Sequence, residues 1–149
     1  SRREEYTEQD GGFLKCWGRN IWGTLGDGIT TKSLTPVDVT LDGTAVAVAV
    51  GQYHACVILD GGSLKCWGDN EKGQLGDGTT IQRTSPVDVM NLGGNARSVF
   101  SGRWHRCAVL EDGSLKCWGR NLYGQLGDGS AYGDIWAAGT SSPVAVSGW

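Results

Sequence analysis

Short apolar segments with two-residue alternation recur along the chain, and none has helical periodicity. Ala45–Val50 alternates Ala and Val, while residues 56–59 and 63–67 flank a tight loop, 60–62, that contains two Gly. Alternation of this kind predicts β-strands, and a three-residue loop with Gly predicts a hairpin. We expect Ala45–Val50 to be buried on both faces, with little room on one side. A fourth strand is expected to start at Pro86, on an outer edge that needs no backbone donor there.

The whole segment is repeated along the chain. Lys-Cys-Trp-Gly occurs at 15–18, 65–68 and 116–119, so the copies lie 50 and 51 residues apart. Each copy is followed by Gly-x-Leu-Gly-Asp-Gly and then by Ser/Thr-Pro-Val. Four short strands in about 50 residues are typical of one blade of a β-propeller. A residue that repeats is first a part of the scaffold, so function is sought where the copies differ.

The repeats predict an all-β fold, namely a partial β-propeller of about three four-stranded antiparallel blades. Residues 1–9 occupy the repeat position of 51–59 with a degenerate sequence, so the first blade is expected to lack its inner strand. We expect a single propeller segment over 1–149, with blades at approximately 1–40 (incomplete), 44–91 and 96–147. Three blades cannot close a ring, so we expect a fragment of a larger protein or completion by other subunits.

Composition narrows the function classes. The 149 residues carry a formal net charge of −3, and their Lys and Arg are scattered, which argues against a nucleic-acid surface. The longest apolar stretch, Ala45–Val50, is too short to span a bilayer, so no membrane insertion is expected. No repeat offers four metal ligands, because the two His residues share one repeat position, and zinc is therefore not expected.

The repeated residues resemble those of a known family. Cys-Trp-Gly-x-Asn-x-x-Gly-Gln-Leu-Gly-Asp-Gly, followed by Pro-Val and by Gly-x-x-His, is similar to the repeats of the regulator of chromosome condensation family. The resemblance covers essentially the whole chain and implies a propeller that usually has seven blades. Relatives in that family exchange nucleotide on a small GTPase, inhibit secreted enzymes or sense light, so the fold alone selects no function.

The cysteines predict the compartment. Cys56 and Cys66 lie ten residues apart about the centre of the hairpin loop, and Cys107 and Cys117 repeat the arrangement. Direct cross-strand opposition brings Cα atoms within disulfide reach, so two disulfides are expected, with buried free thiols as the alternative. Cys16 has Tyr6 in its partner position, so it is expected to form no disulfide within this chain. Disulfides imply an oxidising compartment: secreted, cell-surface or organelle-lumen.

Two features that resemble chemical motifs are interpreted as structural. The Gly-x-Leu-Gly-Asp-Gly loops lack the Lys and the strand-to-helix context of a phosphate loop, so they are expected to be turns whose Asp caps nearby amides. His54 and His105 are expected to be buried, hydrogen-bonding scaffold residues. No catalytic set can be nominated, so neither an enzyme nor a cofactor is expected.

Positions that vary between the copies are the candidates for partner binding. The residues around the repeated Asn change charge and size, which indicates exposed positions, whereas Trp17, Trp67 and Trp118 are expected to pack between blades. Exposed aromatic and Arg side chains are typical interface anchors. The candidate partner-binding residues are Trp22, Lys72, Tyr123, Tyr53, Arg103, Trp104, Tyr132, Asp134 and Trp136.

These features support three hypotheses on function. The first is a non-enzymatic structural or interaction module of an extracytoplasmic assembly, which binds protein partners through the variable loop aromatics. The alternative is a regulator that binds one protein tightly, as an enzyme inhibitor or a small-GTPase exchange factor does. A weaker alternative is a propeller that binds carbohydrate through exposed Trp.

Overall fold

Eleven antiparallel strands make up the regular structure of the described residues. The computed structural model describes residues 12–130 and 139–149 in full and the backbone of 5–9, and it contains no helix in these ranges. The strands are β1 (Glu5–Gln9), β2 (Phe13–Gly18), β3 (Ser33–Asp38), β4 (Ala45–Val50), β5 (His54–Leu59), β6 (Leu64–Gly68), β7 (Arg83–Asp88), β8 (Ala96–Ser101), β9 (His105–Leu110), β10 (Leu115–Arg120) and β11 (Gly139–Ala145).

The strands form three sheets in the order of the sequence. The first sheet is β1-β2-β3, the second is β4-β5-β6-β7 and the third is β8-β9-β10-β11. The second and third sheets each begin with an inner strand, β4 or β8, that has no counterpart among the described residues of the first sheet. The predicted all-β class, the four-stranded units and the incomplete first unit are confirmed.

Two apolar interfaces hold the sheets together. The first interface packs Leu14, Cys16 and Leu25 of the first sheet and its loop against Val57 and Trp67 of the second. The second interface packs the Cys56–Cys66 hairpin and Leu75 against Ala108, Leu110 and Trp118. Trp67 and Trp118 are completely buried, as the sequence predicts, whereas Trp17 is partly exposed.

Each buried indole also donates a hydrogen bond to the preceding repeat. Trp67 Nε1 donates to the carbonyl oxygen of Thr24 at 2.8 Å, and Trp118 Nε1 donates to that of Gln74 at 3.0 Å. Gly26 and Gly76 lie against these rings, and a Cβ at either position would come within 2.8 Å of the indole nitrogen. The repeated Trp and the repeated Gly in the loop of the preceding repeat therefore form one packing unit.

The hairpins contain the two expected disulfides. Cys56 pairs directly with Cys66, and Cys107 with Cys117, each with Cα atoms 4.1 Å apart. Gly61 and Gly62 have φ values of 97° and 92°, which only Gly adopts without strain, and they set this register. Cys16 is buried and retains its thiol, whose Sγ donates to the carbonyl oxygen of Leu25.

Two details of the strands correct the sequence interpretation. The outer strands start three or four residues before Pro, at Ser33, Arg83 and Gly139, so Pro lies inside the strand rather than at its start. A register irregularity just after each Cys accommodates it. The expectation that β4 is buried on both faces is also wrong. Its Ala47 packs in the second interface, but Val46, Val48 and Val50 are 50, 37 and 40 % exposed.

Candidate protein-binding face

The variable loops meet at one end of the sheets. His54 pairs with Gly68, so the loop before β5 and the loop after β6 leave the same end of the second sheet. His105 pairs with Gly119 in the same way in the third sheet. We call this surface the loop face. It comprises residues 19–32, 51–53, 69–82, 102–104 and 120–130, and the tight hairpin loops 60–62 and 111–113 lie at the opposite end.

A repeated Asn holds each long loop in shape. Asn70 is completely buried, and its Oδ1 accepts from the backbone N–H of Leu75 at 3.0 Å. Its Nδ2 donates to the carbonyl oxygens of Thr79 and Ile81, both at 3.0 Å, and to Asp77. Asn20 and Asn121 make the equivalent bonds in their own loops. The glycine-rich loops are therefore turns whose conformation is fixed by the hydrogen bonds of a buried Asn.

The Asp of each loop caps the residue two positions later, as predicted. Asp77 Oδ1 accepts from the N–H of Thr79 at 3.0 Å, and Asp128 accepts from Ser130 at the same distance. The pKa of the Asp77 carboxyl is lowered: burial alone would raise it, but the bonds from Thr79, Arg83 and Asn70 outweigh that effect. Both carboxylates therefore already accept hydrogen bonds within their own loops.

The two histidines stack on glycine. A Cβ at Gly51 would overlap the His54 ring, and Gly102 stands in the same relation to His105, which explains the Gly-x-x-His pattern. His54 is completely buried, and burial, together with Arg106 and His105, holds its pKa well below the usual value. Among the residues that the structure describes, neither ring nitrogen of His54 has a hydrogen-bond partner, contrary to expectation.

One aromatic cluster joins the first and second sheets. The rings of Trp22 and Tyr53 lie 5.9 Å apart at an interplanar angle of 53°, and the guanidinium of Arg19 is 5.8 Å from the Tyr53 ring. Gln52 Nε2 donates to the Tyr53 hydroxyl at 2.8 Å. Both aromatic residues are partly exposed. The structure therefore brings together Trp22 and Tyr53, two of the sequence candidates from different repeats.

A second cluster lies within the third sheet. The guanidinium carbons of Arg103 and Arg120 are 4.4 and 4.3 Å from the centre of the Trp104 ring. The backbone N–H of Arg120 also donates to the carbonyl oxygen of Trp104 at 2.8 Å. Sequence reasoning named Arg103 and Trp104 but missed Arg120. Its signal was the repeat itself, because Arg120 occupies the position of Arg19.

The equivalent loop of the second sheet is built differently. Asp69 is buried and accepts a bond from Gln74 Nε2 at 2.9 Å, and burial raises its pKa although hydrogen bonds oppose the shift. The Lys72 side chain is only 16 % exposed and is paired with Glu71 at 3.1 Å. The prediction of exposure at these variable positions is wrong for Asp69 and largely wrong for Lys72. Tyr123 is 83 % exposed, as expected.

Tyr132, Asp134 and Trp136 lie outside the described residues. Within residues 12–130 and 139–149, His, Cys, Asp and Glu form no group of three or more that could hold a metal ion. In the same part of the chain there is no helix of the length and apolarity needed to cross a membrane.

An open cleft of about 660 Å³ lies at the loop-face end of the first sheet. Its lining includes Arg19, Ile21, Lys32 and Leu34, and Leu34 is 87 % exposed. The repeat-equivalent of Leu34 is Thr84, whose carbonyl oxygen accepts a 3.0 Å bond from the N–H of Gly28 in the preceding repeat. The cleft is thus a surface that a neighbouring repeat covers in the second sheet.

Antiparallel sheets stacked through a repeated Trp, with variable loops at one end, define a segment of a β-propeller built from sequence repeats. Two models of the regulator of chromosome condensation (RCC1) repeat match the chain, one at residues 12–58 and 62–109 and the other at 45–74 and 96–125. The chain belongs to the RCC1 repeat family, and its fold is a partial β-propeller.

Solved structures agree on the fold. The chain is similar to human WBSCR16, with a TM-score of 0.83, 21 % identity and coverage of 95 % of this chain and 35 % of that one. It is similar to Prp20p from Saccharomyces cerevisiae, with a TM-score of 0.83, 19 % identity and coverage of 96 % and 36 %. It is also similar to yeast RCC1 (Prp20) in its complex with Kap60, with a TM-score of 0.78, 21 % identity and coverage of 97 % of this chain and 33 % of that one. The chain spans about a third of the length of these structures.

Proposed function

We propose that this propeller segment is a non-enzymatic module that binds a protein partner through its loop face. The observation that carries the proposal is the pair of aromatic clusters, Trp22 with Tyr53 and Trp104 with two arginines, on loops that are otherwise rigidly braced. Tyr, Trp and Arg dominate the binding energy of protein interfaces, and rigid anchors lose little conformational entropy on binding. Tyr123 adds a largely exposed ring to the same face.

The proposal includes an extracytoplasmic location: secreted, cell-surface or in an organelle lumen. The two cross-strand disulfides support it, because such bonds persist in oxidising compartments and are rare in reducing ones. The test is alkylation of the protein isolated from its native cells under denaturing, non-reducing conditions. Alkylation of Cys16 alone is expected. Alkylation of Cys56 or Cys107 as well would contradict the location.

Further repeats complete this propeller in the proposal. The cleft beside Leu34 lies on β3, whose repeat-equivalent surface at Thr84 is covered by Gly28 of the preceding repeat. The β4 side chains Val46, Val48 and Val50 are likewise exposed. Their cover consists of further repeats of the same kind, whether in the same polypeptide or in another subunit. Long exposed sheet edges and apolar rows are otherwise a liability for aggregation.

Site-specific photo-cross-linking tests the binding face. Benzoylphenylalanine replaces Tyr123 on the loop face in one variant and Asp60 at the opposite hairpin in the matched control, and both are irradiated in cells that make the protein. Both positions are exposed, so both variants should fold. We expect a discrete protein adduct from position 123 and none from position 60. Equal labelling at the two positions would contradict a partner-binding loop face.

A regulator that binds one protein tightly is the second candidate. It is favoured by the similarity to Prp20p, whose reported binding to Gsp1p and histones makes protein binding a property of that relative. An enzyme inhibitor is compatible with an oxidising compartment. An exchange factor for a small GTPase requires a cytosolic or nuclear setting. Disulfides in the native protein would therefore exclude an exchange factor, and an enzyme inhibitor would remain as the candidate.

A further inference from the structure

We propose that the Arg103–Trp104–Arg120 cluster is a docking site for the carboxylates of an acidic segment of the partner protein. This inference rests on the proposed function and specifies the chemistry of the partner. The aromatic rings explain why the loop face binds a protein surface. The charges of the guanidinium groups determine which kind of protein surface it binds.

The distribution of charge is the first argument. The chain has a formal net charge of −3, yet among the described residues Arg19, Arg103 and Arg120 form no ion pair with a carboxylate. The cations that do form such pairs are Lys15, Lys65, Lys72 and Arg83. The loop face of an acidic chain therefore carries arginines whose positive charge no described side chain neutralises.

The geometry of the cluster is the second argument. Arg103 and Arg120 both lie within 4.4 Å of one indole centre, so two like charges are held close together. Their mutual repulsion raises the free energy of the unliganded face, and a carboxylate bound to either guanidinium relieves it. Contact with Trp104 restricts both side chains, so little rotamer entropy is lost when a ligand binds.

Hydrogen-bonding capacity is the third argument. Arg120 Nε is buried and has no hydrogen-bond partner in the described part of the chain. A guanidinium presents its N–H groups as a planar fork that matches the two oxygens of a carboxylate. Phosphate has the same match, but a nucleic acid would bring many phosphates against a chain that is acidic overall, and the basic residues of the loop face are scattered rather than a continuous stripe. A short acidic protein segment fits better.

Binding of a labelled hexaglutamate peptide at low salt tests the proposal. The measured quantity is the dissociation constant from fluorescence anisotropy, with hexaglutamine as the neutral control peptide. We expect the double variant Arg103→Gln/Arg120→Gln to bind about tenfold more weakly or worse. The matched control is Arg97→Gln on β8, an exposed arginine outside the cluster, which should change the affinity by about twofold or less because it removes only long-range attraction.

A further variant separates specific docking from net charge. Arg103→Lys/Arg120→Lys keeps both charges but removes the forks, and we expect it to recover less than half of the lost binding free energy. Full recovery would mean that a diffuse positive field suffices, and it would overturn the docking geometry. Circular dichroism and thermal melting of every variant establish that the fold is retained.

Three outcomes would overturn the inference outright. The first is that hexaglutamate does not bind at all. The second is that Arg97→Gln weakens hexaglutamate binding as much as the double variant does. The third is that an oligothymidine of equal charge binds more tightly than hexaglutamate. The proposed function fails separately. If the Tyr123 cross-link survives in the Arg103→Gln/Arg120→Gln protein while hexaglutamate does not bind, the loop face still binds a protein, and only the acidic specificity is wrong.

Discussion

The two interfaces between the sheets use the same repeat positions but differ in the hairpin that each presents. At the second interface the Cys56–Cys66 disulfide lies beneath Trp118, whereas at the first interface Cys16 retains its thiol beside Trp67. The indole hydrogen bond to the preceding repeat is the same in both. The Trp and the loop carbonyl are therefore the common scaffold, and the covalent bond is added to one of two otherwise similar contacts.

A second difference lies at the loop-face end of the interfaces. Arg106 is completely buried in the second interface, and its Nη1 donates to the carbonyl oxygen of Ala49 and to Ser101. The first interface has Ala55 in the position of Arg106. The apolar centre is thus the same in both interfaces. At the end near the loop face, one interface has a buried charge where the other has Ala. Variation is concentrated at the end where we propose that a partner is recognised.

Removal of the shared indole should have the largest effect. We expect Trp67→Ala and Trp118→Ala each to lower the free energy of unfolding by about 3–5 kcal/mol, because each leaves a large cavity and an unpaired carbonyl. Denaturant titration measures both. Trp149→Ala is the control, since that ring is 72 % exposed and should cost about 1 kcal/mol or less. A loss at one interface of less than half that at the other would contradict a common scaffold.

The next effect concerns the hairpins and can be tested in both directions. Removal of one disulfide, by Cys56→Ala/Cys66→Ala, should cost about 2–3 kcal/mol by the chain-entropy estimate for so short a loop. In the first hairpin Tyr6 is the direct cross-strand neighbour of Cys16, in the register that Cys56 has with Cys66. Tyr6→Cys should therefore form a third disulfide and raise the free energy of unfolding by a similar amount.

The control for the added disulfide is the same Tyr6→Cys protein in the presence of reductant. The gain in the free energy of unfolding should disappear there, and peptide mapping under non-reducing conditions should show the introduced cysteine linked to Cys16. A bond from the introduced cysteine to any other thiol would mean that the first hairpin is not equivalent to the other two.

Local rules predicted the scaffold well. Alternation placed β4 and β5, and the Gly pair of loop 60–62 fixed the register that opposes Cys56 and Cys66. These features depend on residues close in sequence, so the sequence carries them directly. The start of the outer strands was misjudged, because the irregularity after each Cys, which lets Pro36 sit within β3, is a property of strand pairing rather than of Pro itself.

The binding face was harder to predict. Its positions were found through their variation, but variation does not measure exposure: Asp69 is buried because Gln74, five residues later, satisfies its carboxylate. Arg120 was missed because its stacking on Trp104 depends on how two loops separated by a hairpin meet in space. Such contacts follow from tertiary packing, and no spacing rule in a single sequence encodes them.

The histidines extend the comparison to pH. Burial lowers the pKa of His54 well below its usual value of 6.5, and it lowers the pKa of the half-buried His105 in the same direction. Below about pH 6.5 the unfolded chain binds protons that the folded chain does not, so stability that is present above this pH is lost as the pH falls. The loss approaches about 1.4 kcal/mol per pH unit for His54 and is smaller for the half-buried His105.

Denaturant titrations between about pH 7.5 and 5 measure this slope. We expect His54→Gln to remove the larger part of it and His105→Gln a smaller part, because His54 is sealed in the second interface and His105 is not. An unchanged slope in the His54→Gln protein would show that this ring binds protons in the folded state. The comparison of slopes does not depend on how much either variant loses in absolute stability.

The smallest effect concerns an ion pair that two sheets possess and the third lacks. Lys15 and Lys65 each lie opposite an Asp of the outer strand, Asp38 and Asp88, whereas Lys116 lies opposite Ala145. Lys15 Nζ lies 2.5 Å from Asp38, and Lys65 Nζ has two partners, Asp88 at 2.9 Å and Asp42 at 3.2 Å.

Ala145→Asp should restore the missing pair in the third sheet. We expect a gain of about 0.3–0.5 kcal/mol in the free energy of unfolding at low salt, because the Asp partners are exposed and solvent screens the attraction. Denaturant titration at about 20 mM and 500 mM salt measures it, and the gain should vanish at the higher concentration. Ala145→Asn is the control for size without charge. A gain from Asn equal to that from Asp would show that strand packing, and not the ion pair, distinguishes the third sheet from the other two.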